Sequence, residues 1–391
     1  MGPGGPLGRE FSGTADFRPC ALGEAVKRNL TLQPVRPDDE HPDTRVTLGD
    51  MTQALDYPWS EPPAPGSTID VAPGVMWLRM PLPFQLNHIN LWLVDDGAGW
   101  AIVDTGVGLD DVRALWERIF TEHLGGRPVT RVIVTHFHPD HMGNAAWLTA
   151  RFDVDLWCAQ AEYLIGQMAW RTGEARDNEP RLRHYRRNGC SEEALAALRQ
   201  RGNHYPRLVP TMPTAFREIR DGETLVIGGR RWSVIVGRGH SPEHAALWCE
   251  ETGVLISGDQ VLPRITTNIS VWPDQPWGNP LRLYLDSLDR FRGIGADALV
   301  LPAHGLPFRG LPERLAELRS HHAARLAETL DAITEPRSAA DIVPVLFRRA
   351  LDSHQLGFAL GEALSHLHFL EADDRATRIV GADGVHRFRK A

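Results

Sequence analysis

Residues 131–144 read RVIVTHFHPDHMGN, an apolar run that delivers four ligand-type side chains, His136, His138, Asp140 and His141, within six residues of its end. A lone histidine is usually a packing residue. Three imidazoles and a carboxylate beside one strand end are not explained that way, because each is costly to desolvate without a partner. Imidazole nitrogen and carboxylate oxygen are ligands suited to zinc, manganese or iron.

Working outward, the same construction recurs. WSVIVGRGH ends on His240, VLISGD on Asp259 and ALVLPAH on His304. Distant strand-to-loop junctions each present one donor, which is how an α/β sheet assembles a site from residues far apart in the chain. Gly239, Gly258 and Gly305 flank these donors and supply turns tight enough to aim them inward. Seven side chains with one shared explanation point to a metal centre rather than to unrelated core histidines.

The remaining texture agrees with an α/β chain. Short apolar runs bounded by turn residues begin at Thr68, with VMWLRM, INLWLV and WAIVD as strands and a hairpin across Asp95 to Gly99. Further strands are expected at 131–135, 154–158, 232–236, 245–249, 254–257 and 298–301, and helices at 109–120, 143–151 and 280–291. Residues 1–65 are rich in Gly, Pro and charge and are expected to be poorly ordered, with Met51 a candidate natural start. The core domain is expected over 66–310. Within it, 159–216 is helical in pattern and dense in arginine; interspersed acids favour a solvated helical face, and a lid over the site is the functional alternative. Residues 311–391 read as helices at 312–330, 339–351 and 354–370 followed by a hairpin, RATRIV then VHRFRK, the element order of a winged helix. The third helix offers Gln355, Glu362, Ser365, His366 and His368 but no Lys or Arg, so a packing or dimerisation module is expected, with a homodimer as one outcome, rather than a DNA reader.

Composition narrows the function classes. The 391 residues are 42% hydrophobic and 24% charged, values of a globular chain. No apolar window is long enough for a membrane helix, and the N-terminus lacks a secretory layout, so a cytoplasmic protein without a membrane partner is expected. The net charge of -8 disfavours a nucleic-acid coat. Cys20, Cys158, Cys190 and Cys249 form no CxxC pair and read as reduced thiols.

THFHPDH resembles the HxHxDH signature of the metallo-beta-lactamase superfamily, and Asp104 in AIVDTG, His240, Asp259 and His304 fall in that family's order. With the C-terminal helices and hairpin, the chain is similar to the glyoxalase-II-like and beta-lactamase-like hydrolase branch. The resemblance implies an α/β fold, a four-layer αββα sandwich with a small C-terminal winged-helix-like domain. It implies two divalent metal ions, zinc foremost with manganese or iron as alternatives. His136, His138 and His240 would bind the first, Asp140, His141 and His304 the second, and Asp259 would bridge them. Antibiotic-degrading members with two zincs carry cysteine where this chain has Asp259, which argues against lactamase activity. His138 departs from the HxExD of flavodiiron relatives. Persulfide dioxygenases keep HxHxDH with one iron and stay open.

On this basis the expected activity is hydrolysis of a small ester, thioester or lactone, for which bound cations would supply an activated hydroxide and Asp140, the expected catalytic residue, would align it. A phosphodiesterase or endoribonuclease is the alternative. Asp104 reads as a carboxylate orienting a ligand histidine. His244, Arg264, Trp272 and Tyr284 are candidate contacts to a small-molecule substrate, Asn268 and Trp277 weaker ones, His88 carries no assignment, and His321 and His322 read as solvated.

Overall fold

The computed structural model describes residues 55–84, 86–172, 179–348, 351 and 353–391. In chain order its elements are β1 (Ile69–Ala72), β2 (Val75–Pro81), β3 (His88–Asp95), β4 (Trp100–Val103), α1 (Asp110–Glu122), β5 (Val129–Ile133), α2 (Pro139–Met142), α3 (Ala145–Phe152), β6 (Leu156–Cys158), α4 (Gln160–Arg171), α5 (Glu179–Arg187), α6 (Glu192–Arg201), α7 (Tyr205–Leu208) and β7 (Arg217–Glu218). The second half adds β8 (Thr224–Ile227), β9 (Arg230–Gly237), β10 (His244–Cys249), β11 (Val254–Gly258), α8 (Pro280–Leu288), β12 (Leu299–Pro302), α9 (Leu311–Ala332), α10 (Ala339–Leu346), α11 (Ser353–Ala372), β13 (Ala376–Val380) and β14 (His386–Lys390).

Two sheets form the body. One has the order β1-β2-β3-β4-β5-β6-β7 and the other β12-β11-β10-β9-β8. They face each other across a core in which Trp77, Trp92 and Trp232 are almost wholly buried. At ~25 cal/mol per Å² and roughly 150–250 Å² per aromatic, each indole contributes on the order of 4–6 kcal/mol, an upper bound. Period-two alternation in β9 sends Trp232, Val234 and Val236 to this core. β3 is apolar on both faces, because Ile89, Leu91 and Leu93 pack outward under α1 while Trp92 and Val94 pack inward. α1 and α3 cover the first sheet, and α8 and α9 cover the second, completing the αββα layers. This is the four-layer αββα sandwich expected from the sequence.

Several boundaries depart from the sequence reading for local reasons. The run at 154–158 becomes a strand only at Leu156, since Asp153 ends α3 with φ +53° and the Val154 N–H still bonds Thr149 O. α10 stops at Leu346 rather than 351, with Phe347 extended. Pro344 sits within its last turn and has no N–H to return. Of the segment expected to be poorly ordered, the described part packs on the body: Asp56 exchanges backbone hydrogen bonds with Arg309, and Leu55, Tyr57 and Trp59 turn inward at alternate positions. The remainder, with Met51, lies outside the described residues.

α9 to α11 and the β13–β14 hairpin reproduce the expected order of three helices and a hairpin. α11 is buried on nearly every face; Leu360, Leu364 and Leu367 join the core over the second sheet, and Ser365, His366 and His368 are also buried. α5 and α6 pack on this side through Leu182, Tyr185, Leu195 and Leu198. No helix among the described residues is long and apolar enough to cross a membrane. Cys158, Cys190 and Cys249 are free thiols.

Candidate metal centre

The site lies at one edge of the sandwich, where β5, β9, β11 and β12 end. His136 and His138 follow β5, and His138 caps α2, which carries Asp140 and His141. His240 follows β9, Asp259 follows β11, and His304 follows β12. Gly258 takes φ +51°, and a Cβ there would stand 2.4 Å from the His244 Nε2, so a side chain is excluded immediately before Asp259.

The structure brings the seven donors into two adjoining groups: His136, His138, His240 and Asp259, and Asp140, His141 and His304, with the donor atoms of each group within 4.8 Å of one another. Asp259 faces both. Its Oδ2 lies 3.3 Å from His240 Nε2 and 3.9 Å from His136 Nε2, while its Oδ1 lies 3.4 Å from His304 Nε2 and 3.6 Å from His141 Nε2. Asp140 Oδ2 is 3.5 Å from His304 Nε2.

Partners on the far ring nitrogens fix which lone pairs point inward. His240 Nδ1–H donates to Asn268 O at 2.8 Å, His304 Nδ1–H to His88 O at 2.8 Å, and His141 Nδ1–H to Asp104 Oδ2 at 2.8 Å. Thr135 Oγ1 gives its single proton to Asp104 and accepts from His136 Nδ1 at 3.1 Å. The Nε2 atoms of His136 and His240 are thus both bare and only 3.1 Å apart, with His138 Nδ1 2.9 Å from His136 Nε2. Bare nitrogens at that separation repel, and a cation among them turns the repulsion into ligation. His141 Nε2 and Asp259 Oδ1 are buried with no hydrogen-bond partner. The residues present fit a divalent metal.

Electrostatics divide the two groups. Burial, followed by the neighbouring imidazoles, holds His136 well below its usual range and takes His138 down to about 3. Burial opposes protonation of His304 too, but Asp259 and Asp140 overcome it and carry it up to about 10. His141 is raised likewise, burial being overridden by Asp104 and then by Asp140 and Asp259. Burial works against the charge of Asp259, yet His304 and His141 hold its carboxyl well below the ordinary range.

The candidate substrate contacts fare differently. His244 is fully buried and its Nε2 accepts the Asp259 N–H at 3.0 Å, so it anchors the turn of Asp259. Tyr284 is also fully buried in α8, donating to Gln260 O at 3.2 Å behind the site. Trp272 is half-buried, edge-on to Phe358 of α11 at 5.3 Å. Arg264 is exposed, with its guanidinium 5.5 Å from the Tyr57 ring. Trp277 is 69% exposed and stacks on His386 of the terminal hairpin. His322, read as solvated, is instead fully buried between α9 and α11, because it falls on the apolar stripe with Leu315, Leu318 and Leu326. His321 beside it is half-buried.

Three polar groups that hold the site carry no local sequence signal. His88 Nε2 accepts the Gly305 N–H at 3.0 Å while its carbonyl orients His304. Asn90, fully buried, donates to Pro302 O and Gly305 O and accepts from Trp77 Nε1 and Arg79 Nε, tying the two sheets together beneath the His304 loop. Glu162 of α4, also fully buried, accepts from the backbone of Phe137 and Glu243 and from Ser241 Oγ. Burial pushes the Glu162 carboxyl up to about 6 against the pull of these donors.

An αββα sandwich with a histidine- and aspartate-lined edge defines a metallo-hydrolase class. The chain belongs to the metallo-beta-lactamase superfamily, whose domain matches residues 85–304, and residues 326–391 match the metallo-beta-lactamase-like C-terminal domain. A beta-lactamase domain protein from Burkholderia ambifaria, solved as a crystal structure, is 50% identical with a TM-score of 0.82, the match covering 86% of this chain and 98% of that one. A metallo-beta-lactamase family protein from Thermus thermophilus is 30% identical with a TM-score of 0.68, over 82% and 100% of the two chains. The probable metallo-hydrolase YqjP of Bacillus subtilis is 24% identical over 78% of this chain and 94% of its own length.

Proposed function

We propose that the chain holds two divalent cations, zinc foremost, and hydrolyses a small ester, thioester or lactone. One observation carries the reading: the two oxygens of Asp259 face separate donor groups, Oδ2 towards His240 and His136, Oδ1 towards His304 and His141. A single cation would leave one of those groups unused. His136, His138 and His240 would hold one cation, Asp140, His141 and His304 the other, with Asp259 between them. When bound, such cations polarise a carbonyl and make water acidic enough to react near neutral pH.

The chain's own residues then do the rest. Asp104, Asn268 and His88 keep imidazole lone pairs aimed inward, so no reorganisation is needed as charge develops. Asp140 is partly accessible, and on this reading its carboxylate would accept a hydrogen bond from the attacking water. Burial of His136, His141 and Asp259 excludes bulk solvent.

Against the phosphodiester alternative, arginines of the 159–216 segment are partly committed: Arg186 pairs with Glu179 at 2.9 Å, and Arg199 stands 3.8 Å from the same carboxylate. The test is metal analysis of purified protein followed by hydrolysis assays on thioesters, lactones, phosphodiesters and RNA at low and high salt. Two cations per chain with salt-indifferent acyl hydrolysis are expected. RNA cleavage falling steeply with salt would replace the reading with a nuclease, and a single iron would replace it with sulfur oxygenation.

A further inference from the structure

Buried groups of the 159–216 segment reach the ligand loops. Phe137, between His136 and His138, has both backbone groups bound by this segment: its N–H donates to Glu162 Oε2 of α4 at 2.9 Å, and its C=O accepts from Tyr205 Oη of α7 at 2.6 Å. The other Glu162 oxygen accepts from Ser241 Oγ at 2.8 Å and Glu243 N–H at 2.6 Å, in the loop directly after His240. Glu243 answers by accepting the Ala161 N–H at 3.1 Å in the first turn of α4. One carboxylate therefore joins the loop of His136 and His138 to the loop of His240.

Gly166, one turn beyond Glu162, makes room for this. A Cβ there would meet Met212 Cε at 3.1 Å, Tyr205 Oη at 3.2 Å and Phe137 Cβ at 3.4 Å. A side chain on that face of α4 would press against both Tyr205 and Phe137.

The second donor group is held by different residues. His141 donates to Asp104 and His304 to the His88 carbonyl, whereas the hydrogen bonds of Glu162 and Tyr205 run to Phe137, Ser241 and Glu243; α7 also packs against α2, which carries Asp140 and His141. We infer that Glu162, with Tyr205 acting through Phe137, positions the His136–His138–His240 group, so that the helical segment sets the affinity of that cation position in preference to the Asp140–His141–His304 position. This inference rests on the two-cation reading above.

The experiment measures retention of metal rather than turnover. Full-length protein loaded with two equivalents of Zn2+ is equilibrated with increasing dipicolinate, desalted, and its zinc counted by plasma mass spectrometry. Anomalous scattering from crystals of the partly stripped protein identifies the emptied position. Glu162→Gln should give up the His136–His138–His240 cation at roughly 10- to 100-fold lower chelator than the parent, with the other equivalent held as before. Tyr205→Phe, which removes one hydroxyl, should shift the same cation in the same direction by less. Circular dichroism in excess zinc separates misfolding from lost affinity, and Tyr205→Phe carries the test if Glu162→Gln does not fold. Loss of both equivalents together, loss of the other cation first, or unchanged retention in both variants overturns the inference. A parent protein that binds fewer than two cations defeats instead the reading on which it rests.

Discussion

Asp104 accepts the Nδ1–H of His141 at 2.8 Å from a backbone held at φ +63°, and the same carboxylate takes the Thr135 N–H at 2.8 Å and the Thr135 hydroxyl at 2.9 Å. Through Thr135 it also reaches His136. One buried acid thus stands behind a donor of each group, whereas Glu162 stands behind only one group.

Asp104→Asn isolates that charge, because asparagine tolerates the left-handed conformation better than most residues. Retention of both cations should weaken by about 10- to 100-fold, with hydrolysis falling in parallel. Zinc counting against a chelator series checks this. Selective loss of one equivalent would show that the Thr135 link to His136 carries no weight.

Asn90→Ala removes the acceptor of Trp77 and Arg79 and the donor to Pro302 and Gly305 in one step. Leaving several buried polar groups unpaired costs about 3 kcal/mol of unfolding free energy. Urea denaturation of parent and variant in excess zinc measures it. A loss below about 1 kcal/mol would mean that water repairs the inter-sheet clamp.

His322, which is not among the seven donors, supplies a pH signature of its own. Burial, then His366 and His321, hold it down to about 2, and burial holds His366 down to about 4. Both ring nitrogens of His322 lack a hydrogen-bond partner, and the neighbouring rings are Tyr284, His321 and His366. A histidine with a depressed folded pKa binds its proton first in the unfolded chain. It adds no penalty above its ordinary 6.5 and destabilises the fold progressively as pH falls towards the folded value. The slope is about 1.4 kcal/mol per pH unit for each such group. Burial lifts Glu362 from 4.5 to about 7, which works in the opposite sense between those values. The comparison that isolates His322 is therefore His322→Phe against the parent. The variant should lose less stability between pH 6 and 4, by about 1.4 kcal/mol per unit, in urea titrations at each pH. Parallel pH profiles would place a proton on His322 within the fold.

The convergence of seven donors is legible in the sequence because each lies within a few residues of the end of an apolar strand, as in RVIVTHFHPDH and VLISGD, so chemistry and local structure share one short window. What supports them is not. Asn90 reaches Gly305 across 215 positions and Glu162 reaches Ser241 across 79, and nothing near either residue announces its partner. The sidedness of His244 and Tyr284 is equally invisible, since one strand position or helix face decides whether a ring meets ligand or core. The LDYPW stretch hides an alternation of Leu55, Tyr57 and Trp59 under a Pro- and Gly-rich composition, so composition misleads where a two-residue period informs.

Gly361 of α11 lies so close to the loop beside the site that a Cβ would meet Ser270 Cβ at 2.6 Å, and its carbonyl takes the Val271 N–H at 3.0 Å. Asn268, two residues earlier, orients His240 and donates to Glu362 at 3.2 Å. Helix and loop are therefore mechanically one piece. Any tilt of the C-terminal helices would travel three residues along the chain and twist the imidazole of His240.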